Sequence, residues 1–272
     1  MIRVELGKLV RRPRAWVSIG LLCLFPVIVA IFIATTRIAP PPGQGGAFLS
    51  AVLSNGVLYP AAAMALVVPL FLPVAVAVLA GDAVAGEAST GTLRYLLIRP
   101  VGRTRLLVAK LVTLTVFVLM SVLLVLVTAL VTGEALFGSG EPGQAGAVSL
   151  SGTTLTPGDI ALRLAGSVGF VTVSMLGVAA IAVFLSTVTD SPLGATLGAL
   201  AVLVGSELLA TLDAAASIAP YLPTRYWLAW VDFFREPVLW RDIERGIALQ
   251  AVYVVVFLGA AWANFMTRDV TS

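Results

Sequence analysis

Residues Gly81–Lys110, GDAVAGEASTGTLRYLLIRPVGRTRLLVAK, form a polar and basic interruption between two strongly hydrophobic runs. Five basic residues, Arg94, Arg99, Arg103, Arg105 and Lys110, stand against two acids, Asp82 and Glu87. Some 30 residues are too many for a hairpin turn and too few for a soluble domain. A short helix bounded by turns fills such a length. Set between two apolar runs, that helix reads as a docking element on one face of a membrane protein.

The whole chain agrees with that class. Of 272 residues 59% are apolar and 11% are charged, with a mean hydropathy of +1.04. A soluble domain carries about a quarter charged residues, so most of this surface must be solvated by lipid. The net charge of +3 gives no nucleic-acid footprint, because the basic residues flank apolar runs instead of forming one patch. Histidine is absent and Cys23 is the one cysteine. Without them there is no His/Cys metal site, no Ser-His-Asp or Cys-His nucleophile and no intrachain disulfide. Cys23 reads as a small packing residue. No catalytic residue and no metal ligand is expected.

A helix needs about 20 apolar residues to cross a bilayer. Six runs qualify: Trp16–Thr36, Val57–Ala80, Leu106–Val131, Leu164–Thr187, Leu193–Leu212 and Ile247–Met266. The first is too long for a signal-peptide core and lacks an Ala-x-Ala site, so it reads as a retained span. The expected fold is an all-α membrane protein with six transmembrane helices in a single domain over 1–272. With the N-terminus inside, eleven of the 17 lysines and arginines fall on the cytoplasmic side, within Met1–Arg14, Gly81–Lys110 and the C-terminal tail. Basic segments near the first spans set orientation, so both termini are expected in the cytoplasm.

Residues 1–14 read as an amphipathic helix lying in the inner leaflet. Ile2, Leu6, Leu9 and Val10 share one face, and Arg3, Lys8, Arg11 and Arg12 lie largely off it. Pro13 ends that helix and Trp16 anchors the first span at the interface. On the outer side, Ala39–Ser54 and Gly133–Gly158 are rich in Gly, Pro, Ser and Thr and read as connectors. Residues 213–246 differ, because they concentrate Tyr221, Tyr226, Trp227, Trp230, Phe233, Phe234 and Trp240. Amphipathic rings favour the headgroup level, so short helices on or dipping into the outer leaflet are expected between spans five and six. They read either as an aromatic belt or as a lateral gate in which Tyr226, Trp227 and Trp230 touch a lipid-like substrate.

Ionisable groups inside spans mark transport paths. Glu207, in VLVGSELLATL, is the one carboxylate within these span boundaries. It reads as an interfacial or helix-bonding group, or as a residue that handles substrate. Pro60, Pro69 and Pro73 should kink the second span. No GxxxxGK[ST] loop occurs, so the chain has no Walker motif for ATP.

Within the interruption, Glu87, then Gly91-Thr92-Leu93-Arg94, Leu96-Leu97, Arg99-Pro100-Val101 and Arg103 form a pattern. It resembles the cytoplasmic loop of ABC-2 type permeases, the membrane subunits of many bacterial ABC exporters, in which E-x-x-x-G-T-L-x-x-L-L is followed by P-V-x-R before the third span. The basic N-terminal helix, the Ser191-Pro192 turn and the Thr267-Arg268-Asp269 ending are also similar to that family. By topology the resemblance covers the whole chain, and by motif about fifteen residues.

The resemblance implies a non-catalytic permease in the bacterial cytoplasmic membrane, working as a homodimer or as a heterodimer with a paralogue. It implies no cofactor in this chain; ATP and Mg are bound by a separate cytoplasmic ABC ATPase. It implies that the segment 81–105 is a coupling loop whose helix docks on that ATPase through Glu87, Gly91, Thr92, Leu93, Arg94, Leu96, Leu97, Arg99 and Arg103. Gly81 and Gly86 before the helix are read as turn residues. Few fixed charges in the spans point to a lipophilic or amphipathic cargo, such as a drug, a peptide antibiotic or a lipid. A subunit coupling ATP hydrolysis to maturation or sensing would share this pattern. A secondary transporter would need more ionisable residues at mid-membrane.

Overall fold

The computed structural model describes residues 2–36, 56–89, 103–138 and 147–267. Eight α-helices account for most of them. They are α1 (Ile2–Arg11), α2 (Pro13–Thr36), α3 (Tyr59–Val67), α4 (Phe71–Ser89), α5 (Arg103–Phe137), α6 (Pro157–Val188), α7 (Pro192–Ala210) and α8 (Trp240–Thr267). Six of these, α2 and α4 to α8, are long and apolar enough to cross a membrane. A two-stranded antiparallel hairpin, β1 (Ala147–Val148) and β2 (Thr154–Leu155), precedes α6, and short 3₁₀ turns fill the stretch between α7 and α8.

Proline and capping residues set several of the boundaries. Pro13 ends α1 and opens α2 at the position where a missing N–H matters least. Thr156 and Asp159 cap α6 reciprocally ahead of Pro157, and Ser191 caps α7 ahead of Pro192. The second apolar run is divided, as its prolines dictate. Pro60 lies in the first turn of α3 and Pro73 in the first turn of α4, while Pro69 sits in the turn at 68–70 that separates them. Neither Pro69 nor Pro73 has an N–H to offer the preceding turn.

Helices α4 and α6 form the centre. In their most apolar stretches 61% and 67% of residues are buried, against 28% for α2 and α7 and 17% for α8. Small residues bring the helices close. Gly56 and Gly133 meet backbone to backbone, so that a Cβ on Gly133 would lie 2.7 Å from the Gly56 carbonyl oxygen. Tyr59, fully buried, donates its hydroxyl to the carbonyl of Pro26 inside α2.

Several expectations need correction. The interruption at 81–110 is shorter than the composition implies, because 82–89 continue α4 and 103–110 begin α5. Gly81 and Gly86 are therefore helical and not turn residues. Gly81 leaves room for Thr196 of α7, whose backbone nitrogen would be 2.9 Å from an added Cβ. Gly86 leaves room for the Asp82 carboxylate folded back over it. Residues 133–137 extend α5, and 240–246 already belong to α8. On α1, Leu9 faces inward with Glu5, while Ile2 and Val10 are exposed. Of the four apolar residues of α1, only Leu9 is buried in the bundle.

Candidate functional site

One end of the bundle gathers most of the described acids and bases of the first half of the chain. Glu5 and Lys8 lie one turn apart on α1, Asp82 and Glu87 on the last two turns of α4, and Lys110 two turns into α5. Lys8 donates to Glu5 Oε1 at 2.7 Å and to Glu87 Oε1 at 2.9 Å. Lys110 Nζ lies 3.0 Å from Glu87 Oε2 and 3.6 Å from Glu5 Oε2. The four side chains close a ring in which carboxylate and ammonium alternate, so every edge is attractive. Both Glu87 and Lys110 are 4% exposed. A second cluster extends it: Arg12 donates to Asp82 Oδ2 at 2.9 Å, and Arg14 stands 3.6 Å from Oδ1.

Burial alone disfavours these charges, so their persistence rests on partners. For Glu5, burial pushes the pKa up, but Lys110 and Lys8 pull harder and leave it below the ordinary carboxylate value. For Lys8, burial pushes the pKa down, and Glu5 and Glu87 reverse that and leave it above the ordinary lysine value. A crevice of about 40 Å³ opens beside the ring against Leu9, Leu79 and Thr113.

Directly behind the ring, α4 is stapled to α6. The Ser186 hydroxyl donates to the Gly81 carbonyl at 2.7 Å and accepts from the N–H groups of Val84 at 3.0 Å and Ala85 at 2.8 Å. It spans one turn of α4 just before Glu87. The last turns of α8 close this end: Phe265 packs with Val84 and Leu106, Trp262 donates to Thr104 at 2.9 Å, and Asn264 donates to the Thr187 carbonyl at 2.8 Å. The N-terminal helix and the end of α8 are thereby at the same end of the molecule.

Glu87 is the one expected docking residue whose side chain is described, and it points into the ring. Gly91, Thr92, Leu93, Arg94, Leu96, Leu97 and Arg99 lie outside the described residues, and Arg103 is described only as the first backbone position of α5. Sequence reasoning passed over Glu5, Lys8 and Lys110 as partners of Glu87. The available signal was Lys110, an ammonium inside an apolar run, where an ionisable group needs a neutralising partner.

At the opposite end the aromatic segment folds inward. Trp227 and Trp230 are buried and Tyr226 is half-buried, packed with α6 and α8. Tyr221 at 70% and Trp240 at 55% remain exposed. Of the seven aromatic residues read as a belt or gate, Tyr221 and Trp240 are the exposed ones. The segment is tied down by Gln250, which donates to the Pro223 carbonyl at 2.7 Å, by Ser206 and Thr224 at 2.7 Å, and by Tyr253, which donates to the Tyr221 carbonyl at 2.9 Å. The hairpin joins the same end, since Leu150 N–H donates to the Phe234 carbonyl at 3.0 Å and Arg163 pairs with Glu236. Glu207, next to Ser206, is exposed on α7 and has no partner among the described residues. Trp227 and Trp230 belong to the buried core and Tyr226 packs against it, whereas the Glu207 side chain is exposed. Among the described residues no group of His, Cys, Asp and Glu could hold a metal ion.

The chain belongs to the family described as "Protein of unknown function (DUF2705)", whose model matches residues 24–271. That range takes in Asp82, Glu87 and Lys110 and begins after α1. The chain is also similar to "Uncharacterized protein YhcI" of Bacillus subtilis (strain 168), with 27% identity over 203 residues. The match covers 72% of this chain and 63% of that protein.

Proposed function

We propose that this chain is the membrane permease subunit of an ATP-driven transporter, with no catalytic centre of its own. Its energy comes from ATP and Mg held by a separate cytoplasmic ABC ATPase, and a second permease copy or paralogue completes the transport unit. The observation that carries the reading is the framing of residues 90–102. The helices on either side of them, α4 and α5, are cross-linked by buried charges at one end of a six-helix bundle. A segment with the ABC-2 coupling pattern is thus mounted between two fixed posts. A partner that pushes there acts on α4, the second most buried span, and through Ser186 on α6.

In this reading α1 lies in the inner leaflet, with exposed Ile2, Val4, Val10 and Trp16 toward acyl chains and Arg3 and Arg11 toward anionic headgroups. The residues that carry the coupling pattern face the ATPase, and the short turns at 213–234 sit at the outer leaflet. The membrane is the bacterial cytoplasmic one, with both termini inside. The cargo is lipophilic or amphipathic, matching spans poor in unpaired charge, and export is the direction that the loop pattern favours.

Co-purification tests the reading. An ABC ATPase should accompany the wild-type chain, and Leu93→Asp with Leu96→Asp should abolish its recovery. Wild-type levels of ATPase on the double variant would sink the docking assignment.

A further inference from the structure

We infer that the N-terminal helix is a working part of the coupling unit, latched to it by the four-charge ring, and that Glu87 serves as a positioning residue inside that latch and not as a contact for the partner. The inference rests on the proposed function and names its regulation.

The geometry separates two kinds of charge on α1. Glu5 and Lys8, with Arg12 just beyond, turn toward the bundle and are paired there, whereas Arg3 and Arg11 face outward with exposed Ile2, Val4 and Val10. Among the described residues no other element bridges α4 and α5 through charged side chains. Lys8 reaches the end of α4, Glu5 reaches the beginning of α5, and Glu87 and Lys110 join those two ends directly. Each ring member touches two neighbours of opposite charge, so removing one carboxylate weakens two edges and leaves two ammoniums sharing the other. In a buried site that imbalance is strongly unfavourable. The ring therefore holds as a unit or opens as a unit.

Its position gives the opening a consequence. Glu87 occupies the last turn of α4, beyond the turn in which Ser186 accepts from Val84 and Ala85 and donates to Gly81, and Asp82 lies within that turn. An external hydroxyl that offers both a donor and acceptor sites lets that turn of α4 bend without orphaning its backbone groups. When the latch is closed, α1, the end of α4 and the beginning of α5 move together as one body. When it is open, α4 and α5 move without α1, and force applied to them is no longer carried to the leaflet on which α1 lies.

The test compares the full-length wild-type chain with Glu5→Gln, Glu87→Gln and the double variant, reading hydrogen exchange in residues 2–11 and recovery of the ATPase. Each single variant should raise exchange in 2–11 at least tenfold, to a similar extent. The double variant should add less than threefold, because one ring is lost only once. ATPase recovery should fall at least threefold in Glu5→Gln, a residue outside the docking pattern. Exchange in 170–183 should stay unchanged and so report an intact bundle. Should Glu87→Gln loosen the whole bundle, Glu5→Gln alone decides. Unchanged exchange in 2–11, multiplicative effects, or full ATPase recovery with Glu5→Gln would each overturn the latch. If no ATPase accompanies the wild-type chain, the docking reading fails by itself, while the exchange data still judge the ring.

Discussion

A lysine with 4% exposure inside a lipid-solvated bundle, such as Lys110, is tolerable only because two carboxylates surround it. That makes the ring fragile in a specific way. Breaking a buried pair from one side leaves the other charge stranded, at about 3–5 kcal/mol, whereas replacing all members by apolar residues of similar size is often near neutral. Lys110→Met should therefore lower the chain's unfolding free energy by roughly that amount. The quadruple variant Glu5→Leu, Lys8→Met, Glu87→Leu, Lys110→Met should recover most of it. Denaturant titration in detergent micelles reads both, and a Lys110→Met chain as stable as wild type would show that the lysine is not buried.

The same ring sets a pH window. Glu5 titrates below its ordinary 4.5 in the folded chain, so its contribution is complete above pH 4.5 and erodes as the pH falls through the folded value. Lys8 titrates above its ordinary 10.5, so its contribution is complete below pH 10.5 and erodes above it. The groups facing them are Lys110 and Arg12 around Glu5, and Glu87 beside Lys8. The melting-temperature difference between wild type and Glu5→Gln should be flat from pH 5 upward through neutrality and shrink below 4.5. The difference between wild type and Lys8→Met should shrink above 10.5. A difference that keeps growing toward acid pH would contradict the assignment.

Among the elements, α4 is where sequence and structure diverge most. Its apolar run is plain from hydropathy, since bilayer thickness demands such a run whatever the neighbours do. Its last turns are not. Asp82, Gly86 and Glu87 look like a loop because helix ends are usually marked by polar and glycine residues. Here the charges are cancelled by Lys8 and Arg12, which lie 79 and 70 residues away, and no local pattern records that. The buried tryptophans illustrate the same limit. Aromatic composition says that 213–246 belongs near an interface, but the hydrogen bonds that hold the segment ahead of the buried Trp227 and Trp230 run to Thr224 and Pro223 from Ser206 and Gln250 on other helices. The break between α3 and α4 was legible only as a kink: Pro69 acts through the backbone of its own chain segment, but the expected span Val57–Ala80 is two helices, the longer of which is Phe71–Ser89. For Gly81 the structure gives a measurable alternative to a turn. Gly81→Ala would place a Cβ 2.5 Å from Thr196 Oγ1 and 2.9 Å from Thr196 N. Overpacking of this kind costs about 1–3 kcal/mol. Adding Thr196→Ala removes the first contact and not the second, so thermal melts should show partial rescue only. An unaffected Gly81→Ala chain would mean that α4 and α7 do not meet there.

For the whole molecule, an even number of spans places both ends of the chain on one side, and the contacts agree. Ring and Arg12–Asp82 cluster, Ser186 staple and the last turns of α8 share one end of the bundle. The hairpin, the aromatic segment and the Gly56–Gly133 crossing share the other. The proposed function requires the first end to face the cytoplasm, as the excess of arginine there leads one to expect, because only then can the proposed motor reach residues 90–102. Single cysteines in a Cys23→Ala background make the sidedness measurable. With a membrane-impermeant maleimide on intact cells, Tyr221→Cys and Arg241→Cys should label, while Arg3→Cys and Met266→Cys should label only after the membrane is opened. Tyr221 and Met266 are 70% and 47% exposed, so failure to label cannot be charged to burial within the chain. The reverse pattern would put the ring and the segment it frames outside the cell, beyond any source of ATP, and the permease reading would have to be abandoned with it.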